Sequence, residues 1–202
     1  MNLNIQQKII KKINRSRRGV IFFNEDFQTF GGREAVKKAL QRLEGNGEIE
    51  RIARGIYVRP KKSKVVGKVY PSIEEIARAI ARRDRARIIP SGAFALNRLG
   101  LSEQVPMNVV YLTDGAPRKI KIDKRTITLK KSSPKNLAAK GEISSLLIQA
   151  LKTLSREELT GSEHMLISKL LNKEDKSKLR HDLLLAPGRV RNMIYKIMNR
   201  MY

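Results

Sequence analysis

Cysteine and tryptophan are both missing from this chain, and histidine occurs only twice. Without cysteine the protein can form no disulfide and carries no thiol nucleophile. Zinc sites built from the usual cysteine and histidine ligand sets are effectively excluded as well. No apolar run approaches the roughly 20 residues that a membrane-spanning helix needs. The N-terminal residues alternate isoleucine with polar and basic residues, unlike a signal peptide, so we expect a soluble cytoplasmic protein with no membrane partner.

Acidic residues are few compared with basic ones. Lys and Arg number 43 against 19 Asp and Glu, which gives a formal net charge of +24. The excess is shared along the chain, since residues 1–70 carry 17 basic against 6 acidic residues and the remainder carries 26 against 13. A protein this basic is expected to bind a polyanion, either nucleic acid or an anionic membrane surface. Aromatic residues make up only 5% of the chain, whereas membrane-surface helices usually carry bulky apolar side chains, so nucleic acid is favoured.

The chain is long enough for packed cores. Its hydrophobic content is 41% of 202 residues, and this length suits one large domain or two small ones. Residues 61–68 form a basic stretch with few core-forming side chains, which is typical of a connector. We therefore predict a DNA-binding domain over residues 1–62 and a second domain over residues 69–202.

The first 60 residues contain the order of elements typical of a winged helix-turn-helix. The residue pattern predicts a helix over 2–14, a strand over 19–23 and a short helix capped by Asn24. A longer helix, apolar on one side and basic on the other, follows the Gly31-Gly32 turn. Two β-prone runs on either side of residues 53–55 predict a hairpin. The long helix would enter a major groove, and the hairpin would lie beside the backbone or the minor groove.

Basic side chains of this region supply the chemistry that DNA binding requires. Lys and Arg can neutralise phosphates, Gln41 can form a bidentate hydrogen bond with an adenine edge, and Arg54 at the hairpin tip is best placed to enter a minor groove. Gly31-Gly32 leaves helix N–H groups uncovered for a phosphate, or simply forms the turn. The alternative is a generic solvated helix packed on an ordinary hairpin. The predicted DNA-binding residues are Arg17, Arg18, Arg33, Lys37, Lys38, Gln41, Arg42, Arg51, Arg54 and Arg59.

The second half predicts further helices and strands, so the whole chain is expected to be an α+β protein. A helix over 73–83, a strand at 87–89 and a helix over 92–99 lead into three β-prone segments. These segments, at residues 108–113, 118–122 and 125–131, predict a small antiparallel meander with one buried and one basic face. C-terminal helices are predicted over 143–154, 163–171, 173–185 and 188–201. The basic face is a candidate second surface for nucleic acid or a partner, and it consists of Arg118, Lys119, Lys121, Arg125, Lys130 and Lys131.

No catalytic motif is recognisable in the sequence. The aspartates lack the paired spacing of a metal-dependent nuclease. His164 and His181 have no cysteine nucleophile to activate, and Ser91 is in a Pro-Ser-Gly helix cap instead of a nucleophile elbow. Phosphate-loop and Rossmann glycine patterns are missing too. We therefore expect a binding protein that is not an enzyme and needs no cofactor or metal, with His181-Asp182 packing or capping locally.

Several segments together resemble one known family. The hairpin at residues 48–60, the stretch 89–102 with Val105-Pro106, the strand and turn at 110–115 and the segment 132–137 are similar to the antitoxins of type IV toxin–antitoxin and abortive-infection systems (AbiEi-like transcriptional regulators). The resemblance covers nearly the whole chain. It implies a winged helix joined to an α/β antitoxin domain, and a repressor that binds inverted repeats in the double-stranded DNA of its own operator. It also implies a nucleotidyltransferase-like toxin as a functional, not necessarily tight, partner.

Two other interpretations stay open at this point. An RNA-binding module could antagonise the toxin at its RNA target, as the basic meander face suggests, although that face lacks stacking aromatics. A protein-interaction antitoxin could instead sequester an acidic surface of the toxin, and it would then co-purify with the toxin as a stable complex.

Overall fold

A computed structural model describes residues 3–155 and 159–199 and confirms a mixed α+β protein. The chain divides into two compact units. The N-terminal unit extends to Ile80 and includes Lys121–Asp123, and the C-terminal unit comprises Ala81–Ile120 and the chain from Lys124 onward. The helices are α1 Ile5–Arg15, α2 Arg33–Gly45, α3 Ile73–Arg83, α4 Ala93–Arg98, α5 Glu142–Thr153, α6 Gly161–Leu171, α7 Lys176–Leu185 and α8 Gly188–Asn199. The strands are β1 Ile21–Phe23, β2 Glu50–Ala53, β3 Ile56–Val58, β4 Lys61–Ser63, β5 Gly67–Val69, β6 Ile88–Ser91, β7 Asn108–Thr113, β8 Arg118–Ile122 and β9 Arg125–Lys131, with 3₁₀ helices at Asn24–Phe30 and Pro134–Leu137.

Helix α1 begins at a capping box formed by Asn4 and Gln7. The Asn4 side chain accepts a hydrogen bond from the Gln7 backbone N–H at 2.8 Å, and the Gln7 side chain accepts from the Asn4 N–H at 2.9 Å. This reciprocal pair satisfies two N–H groups that would otherwise lack partners. The predicted start of this helix at Asn2 and the predicted end of the last helix at Met201 lie outside the described residues.

Asn24 does not cap the second helical segment. It is the first residue of the 3₁₀ helix, and the cap is Phe23, whose N–H donates to the Asp26 carboxylate at 2.8 Å. Phe22 and Phe23 are both buried at the end of β1, so the strand runs directly into the helix. The Asn24 side chain turns inward, with its oxygen buried.

The core of the N-terminal unit joins all three of its first helical segments to the strands. In the sheet of β1, β2 and β3, β3 lies in the centre and pairs antiparallel with both neighbours, with Ile21 opposite Val58 and Arg51 opposite Tyr57. Helix α2 packs against α1 and against the 3₁₀ helix. The buried side chains of this core are Ile9, Ile13, Phe22, Phe27, Val36, Ala39, Leu40, Leu43, Ile49 and Tyr57.

Residues 61–69 form a hairpin, whereas the sequence predicted a basic connector with few core-forming side chains over residues 61–68. Strands β4 and β5 pair antiparallel, with Lys61 opposite Val69, and the tight turn is closed by Gly67 at a φ of 72°. Glycine takes this left-handed conformation without a steric penalty. Lys68 and Tyr70 both contact the Glu50 carboxylate, at 2.6 and 2.5 Å, so the hairpin is attached to β2.

The sheet of the C-terminal unit is not the predicted meander. Its strand order is β6-β7-β9-β8, and β7 runs parallel to β9 while pairing antiparallel with β6. Strand β9 therefore lies between the two strands that precede it in the chain. After β7 the chain first forms β8 at the edge of the sheet. It then turns back at Asp123, which has a φ of 51°, and β9 fills the position between β7 and β8.

Burial explains why β9 occupies the central position. The parallel register sets Val109 beside Ile127 and Tyr111 beside Leu129, so four buried apolar side chains share one face. No residue of β8 is fully buried, and two of its five side chains are exposed lysines. A strand with exposed charges is suited to a sheet edge, where lysine discourages pairing with another chain.

Helices α4 to α8 enclose the main core of the C-terminal unit. Helix α6 begins at a Thr160–Glu163 capping box, and α7 begins at Asp175, whose carboxylate accepts from the Lys178 N–H at 2.9 Å. This cap is why α7 starts later than the predicted Lys173. In the part of the chain that the structure describes, no helix is both long and apolar enough to cross a bilayer. The core includes Ala95, Leu147, Leu151, Ile167, Leu183, Val190 and Ile194.

Candidate nucleic-acid interface

One side of α2 is a continuous surface of exposed hydrogen-bond donors. Successive helical residues are rotated by about 100°, so the buried stripe of Val36, Ala39, Leu40 and Leu43 leaves the opposite side to solvent. We call that side the α2 face. Its residues are all exposed, and the side chains of Lys38, Gln41 and Arg42 make no hydrogen bond or ion pair within the described chain. The α2 face consists of Arg33, Lys37, Lys38, Gln41 and Arg42.

Acidic residues only partly offset the charge of this face. Lys37 lies 3.8 Å from Glu34 one turn earlier, and both side chains are largely exposed. Exposed pairs of this kind contribute well under about 1 kcal/mol, so Lys37 remains available to another anion. Glu34 is in the first turn, where its carboxylate interacts favourably with the helix dipole.

The N-terminus of α2 has no side-chain cap. Gly32 is the N-cap residue and provides no side-chain hydrogen bond, and a methyl group added there would meet nothing within 4 Å. The first N–H groups of the helix are therefore open to a ligand, and such groups bind phosphate readily. Gly31 has a different role, because a side chain there would overlap Ile5 of α1. The glycine pair thus combines close helix packing with an open helix end.

The β2–β3 hairpin exposes Arg54 at its tip. The turn is Arg54-Gly55, with Gly55 at a φ of 73°, and the Arg54 side chain has no partner in the described chain. Arg51 is also exposed, although its Nε donates a long hydrogen bond of 3.4 Å to the Ala53 carbonyl. The neighbouring Tyr57 is buried beneath the hairpin, and burial raises the pKa of its hydroxyl.

Arg17, Arg18 and Arg59 are grouped at the opposite end of the hairpin strands from its tip. Arg59 donates to the Asn14 side-chain oxygen at 2.8 Å, which ties the end of β3 to α1. Arg18 donates to the Pro60 carbonyl at 3.2 Å, whereas Arg17 is exposed without a partner in the described residues. Arg18 and Arg59 therefore have structural contacts that do not depend on any ligand.

The β4–β5 hairpin adds basic residues that the sequence prediction did not include. Lys61, Lys62 and Lys64 are exposed on it, and Val65 at its tip is 92% exposed. The Lys68 ammonium, together with the Tyr70 hydroxyl, holds the pKa of Glu50 below its usual value. Val65 and Val66 lie in the turn of this hairpin and not in its strands, so the available sequence signal was the turn glycine Gly67.

The basic residues of the C-terminal unit do not form the single face that was expected. Strand side chains alternate between the two faces, so Arg118 lies on the opposite side of β8 from Lys119 and Lys121. Arg118 pairs with Asp84, and Lys131 donates to the Asp114 carbonyl at 2.5 Å. In β9, Arg125 and Lys131 share the side of Ile127 and Leu129, and Lys130 lies on the other side.

Asp182 makes hydrogen bonds with a distant part of the chain as well as a contact with the adjacent His181. The Asp182 carboxylate is buried and accepts hydrogen bonds from the Lys140 and Gly141 N–H groups, both at 2.8 Å, and from the Ser144 hydroxyl at 2.6 Å. His181 Nδ1 lies 2.8 Å from the same carboxylate. Asp182 therefore caps the start of α5, about 40 residues earlier in the chain. The expectation was that His181-Asp182 packs or caps locally; the two side chains do contact each other, but the cap is not local.

Comparison with known proteins identifies a family and finds similar solved structures. A family model described as "Family of unknown function (DUF6088)" matches residues 8–179. No curated protein matches the chain. Among solved structures, the chain is similar to the RV2827C protein from Mycobacterium tuberculosis, with 14% sequence identity and a TM-score of 0.42, over 95% of this chain and 81% of that one.

Proposed function

The chain belongs to the DUF6088 family, a family of unknown function, and from that premise we propose that it is a regulator that binds double-stranded DNA. In this proposal the N-terminal unit is a winged helix-turn-helix. The 3₁₀ helix Asn24–Phe30 and α2 form the helix-turn-helix, and the β2–β3 hairpin is the wing. The order of these elements, and the central position of β3 between β1 and β2, support the assignment.

The observation that carries the proposal is the α2 face itself. The basic side chains and the glutamine of this face make no hydrogen bond or ion pair within the described chain, apart from the exposed Lys37–Glu34 contact. The opposite side of the same helix is fully buried, so the helix is held rigidly while this face stays in water. A recognition helix in a major groove requires this division between a packed side and a donor-rich side.

Each part of the surface has a proposed role in the complex. Gln41, near the middle of the α2 face, would read an adenine edge, and Lys38 and Arg42 would neutralise phosphates beside it. The open N-terminus at Gly32 would accept a further phosphate. Arg54 would enter the adjacent minor groove, where a narrow groove attracts arginine.

We further propose that the protein is an antitoxin of the type IV, abortive-infection class and represses its own operon. The resemblance of residues 48–60, 89–102, 110–115 and 132–137 to AbiEi-like regulators supports this role. It acts in the cytoplasm as a binding protein without enzymatic activity, and it opposes a nucleotidyltransferase-like toxin through a functional relationship that does not need a tight complex.

Electrophoretic mobility shifts and footprinting on the protein's own promoter test the DNA-binding role. We expect a discrete footprint on inverted repeats and a clear preference over random fragments of equal length. Lys38→Ala and Arg54→Ala should each weaken binding about tenfold or more, because the first loses a charge-assisted hydrogen bond to a phosphate and the second loses the arginine in the minor groove. Lys11→Ala is the matched control, since it removes the same charge from α1, and it should stay within about twofold.

The antitoxin role is tested separately in cells that express the toxin gene of the same operon. The Lys38→Ala/Arg54→Ala double variant should lose repression but still relieve growth arrest. A wild-type protein that fails to relieve arrest would refute the antitoxin role, and unchanged affinity in both single variants would refute the DNA-binding surface.

An RNA-binding role for the basic residues of β8 and β9 has less support. Arg118 is paired with Asp84 and Lys131 with a backbone carbonyl, so two of the six predicted contacts are already engaged. The remaining residues are divided between strand faces, and no stacking aromatic accompanies them on β8 or β9.

A further inference from the structure

A polar cavity of about 480 Å³ opens in the C-terminal unit, away from the α2 face and outside the proposed DNA-binding role. Its floor is one face of the sheet. Pairing places Ser91 opposite Val110 and Leu112 beside Lys130, so residues of β6, β7 and β9 contribute to the same face. Helix α5, which packs on β6, supplies the facing wall. A cavity of this size can hold a small ligand.

Positively charged hydrogen-bond donors line the cavity. Lysines from two elements line it, Lys130 and Lys131 from the end of β9 and Lys152 from α5, and the hydroxyls of Ser132 and Ser133 follow directly after β9. None of its lining residues in the described chain is acidic. Clustered ammonium groups with nearby hydroxyls form a binding environment for a multiply charged oxyanion.

Lys152 is the most informative member of this set. Its side chain is half-buried, and its only described polar contact is with the Asn136 side-chain oxygen at 3.2 Å. Burial lowers the pKa of the Lys152 ammonium, because the charge has left water without gaining a carboxylate. A bound anion would compensate this desolvation, which a neutral amide does only in part.

Two amide side chains complete the lining. Asn136 is held in place by its amide nitrogen, which donates to the Ser132 hydroxyl at 3.1 Å. Gln149 is only 4% exposed, and its side chain lines the cavity. The Gln149 carboxamide can donate a hydrogen bond to a polar ligand in the cavity.

We infer that this cavity binds a phosphate group carried by a nucleotide or by the end of a nucleic-acid strand. Lys130 and Lys152 approach the phosphate from the sheet and from α5, and the Ser132 hydroxyl and the Gln149 amide donate the neutral hydrogen bonds. Lys131 is already oriented by the Asp114 carbonyl and adds charge at the rim.

Calorimetric titration of the full-length protein tests this site with four probes. These are inorganic phosphate, a nucleoside triphosphate, and one trinucleotide in 5′-phosphorylated and 5′-hydroxyl forms. We expect saturable binding of at least one phosphorylated probe. If the phosphorylated trinucleotide binds about tenfold more tightly than its 5′-hydroxyl form, the phosphate belongs to a strand end. If the nucleoside triphosphate binds more tightly than the trinucleotide, the phosphate belongs to a nucleotide.

Three variants make the result specific to the cavity. Lys152→Met keeps the aliphatic stem and should weaken binding about tenfold, and Lys130→Ala, at an exposed position that does not endanger the fold, should weaken it several-fold. Lys135→Met is the control, because it removes the same charge from the 3₁₀ helix Pro134–Leu137 outside the cavity lining. The site is refuted if no phosphorylated probe binds, if both cavity variants bind like wild type, or if Lys135→Met is equally weakened. Lys38→Ala should leave this binding intact, so the outcome is independent of the DNA-binding proposal.

Discussion

Gly92 adopts a backbone conformation that an L-amino acid rarely takes, with a φ of 63° and a ψ of −147°. It is the residue between the end of β6 and the start of α4, so the chain changes direction there. A methyl group built on Gly92 meets nothing within 4 Å. Any penalty for substitution at this position therefore comes from the backbone and not from crowding.

We predict that Gly92→Ala destabilises the protein by about 1–3 kcal/mol, the usual range for a strained backbone conformation. Urea denaturation followed by circular dichroism measures the change. Gly161→Ala is the matched control, because Gly161 also has open space around it and no left-handed φ, and alanine favours the first turn of α6. Equal stability of the two variants would contradict the assignment of strain to Gly92.

At the scale of elements, the N-terminus of α5 is capped by two carboxylates from later in the chain. One lies between α6 and α7, and the other lies in α7. Gly141 is the N-cap of α5 and offers no side chain. Glu174 accepts from the Ile143 and Ser144 N–H groups at 2.8 and 2.9 Å, and Asp182 accepts from the N–H of Gly141. Negative charge at a helix N-terminus is stabilising, so these carboxylates stabilise the start of α5, and Asp182 connects it to α7.

We predict that Asp182→Asn destabilises the protein by about 2 kcal/mol or more at pH 7, because an amide nitrogen would face donors that now meet a carboxylate. Burial alone would raise the pKa of Asp182, but hydrogen bonds from Ser144, His181 and two backbone N–H groups lower it below the ordinary 3.8. The associated stability is therefore full above pH 3.8 and is lost as pH falls through the folded-state pKa.

Denaturation series from pH 7 to pH 2 check this prediction by comparing the two proteins. The variant should show a shallower loss of stability in acid than wild type. Asp175→Asn is the control, since asparagine caps a helix about as well as aspartate, and it should change stability little at pH 7. An Asp182→Asn protein that follows the wild-type pH profile would show that the carboxylate does not contribute in this way.

The position of β9 in its sheet predicts a pattern of amide exchange. Strand β9 has neighbours on both sides, whereas β8 is an edge strand. We expect β9 amides to exchange more slowly than those of β8 and at rates similar to those of β7, because exchange from a central strand requires larger openings. Hydrogen–deuterium exchange by NMR resolves the strands, and slower exchange in β8 would favour the meander order instead.

At the scale of the whole molecule, the net charge of +24 makes any DNA complex sensitive to salt. With six to ten phosphate contacts, affinity for DNA should fall about 10³–10⁵-fold between 50 and 200 mM salt. Lys38→Ala should reduce the slope of log affinity against log salt by about 1, because one phosphate contact is lost. Fluorescence anisotropy with a labelled operator measures both slopes.

Gln41→Ala provides the complementary test at this scale. It should reduce the preference for operator over random DNA and leave the salt slope unchanged, since an uncharged base contact releases no counterion. If Gln41→Ala instead lowers affinity for all sequences equally, Gln41 does not read a base edge.

Local pattern was sufficient to predict most helices of this protein. The stripe of Val36, Ala39, Leu40 and Leu43 predicted α2 and its buried side correctly, because apolar periodicity reports burial directly. The α2 face followed from the same pattern. Helix starts were less accurate, as Asn24 and Asp175 show, because which side chain caps a helix depends on where the preceding residues pack.

Sequence alone thus determined the α+β composition, the helical segments and the excess of basic residues. Each of these depends either on residues close together in the chain or on the overall amino-acid composition. Only the tertiary structure decided that β9 lies beside β7, that Asp182 caps α5, and that Arg118 and Lys131 are engaged while Lys152 faces a cavity. These features depend on contacts between residues distant in sequence. Periodicity within a strand or helix states which side is buried, but it carries no information about which partner covers that side.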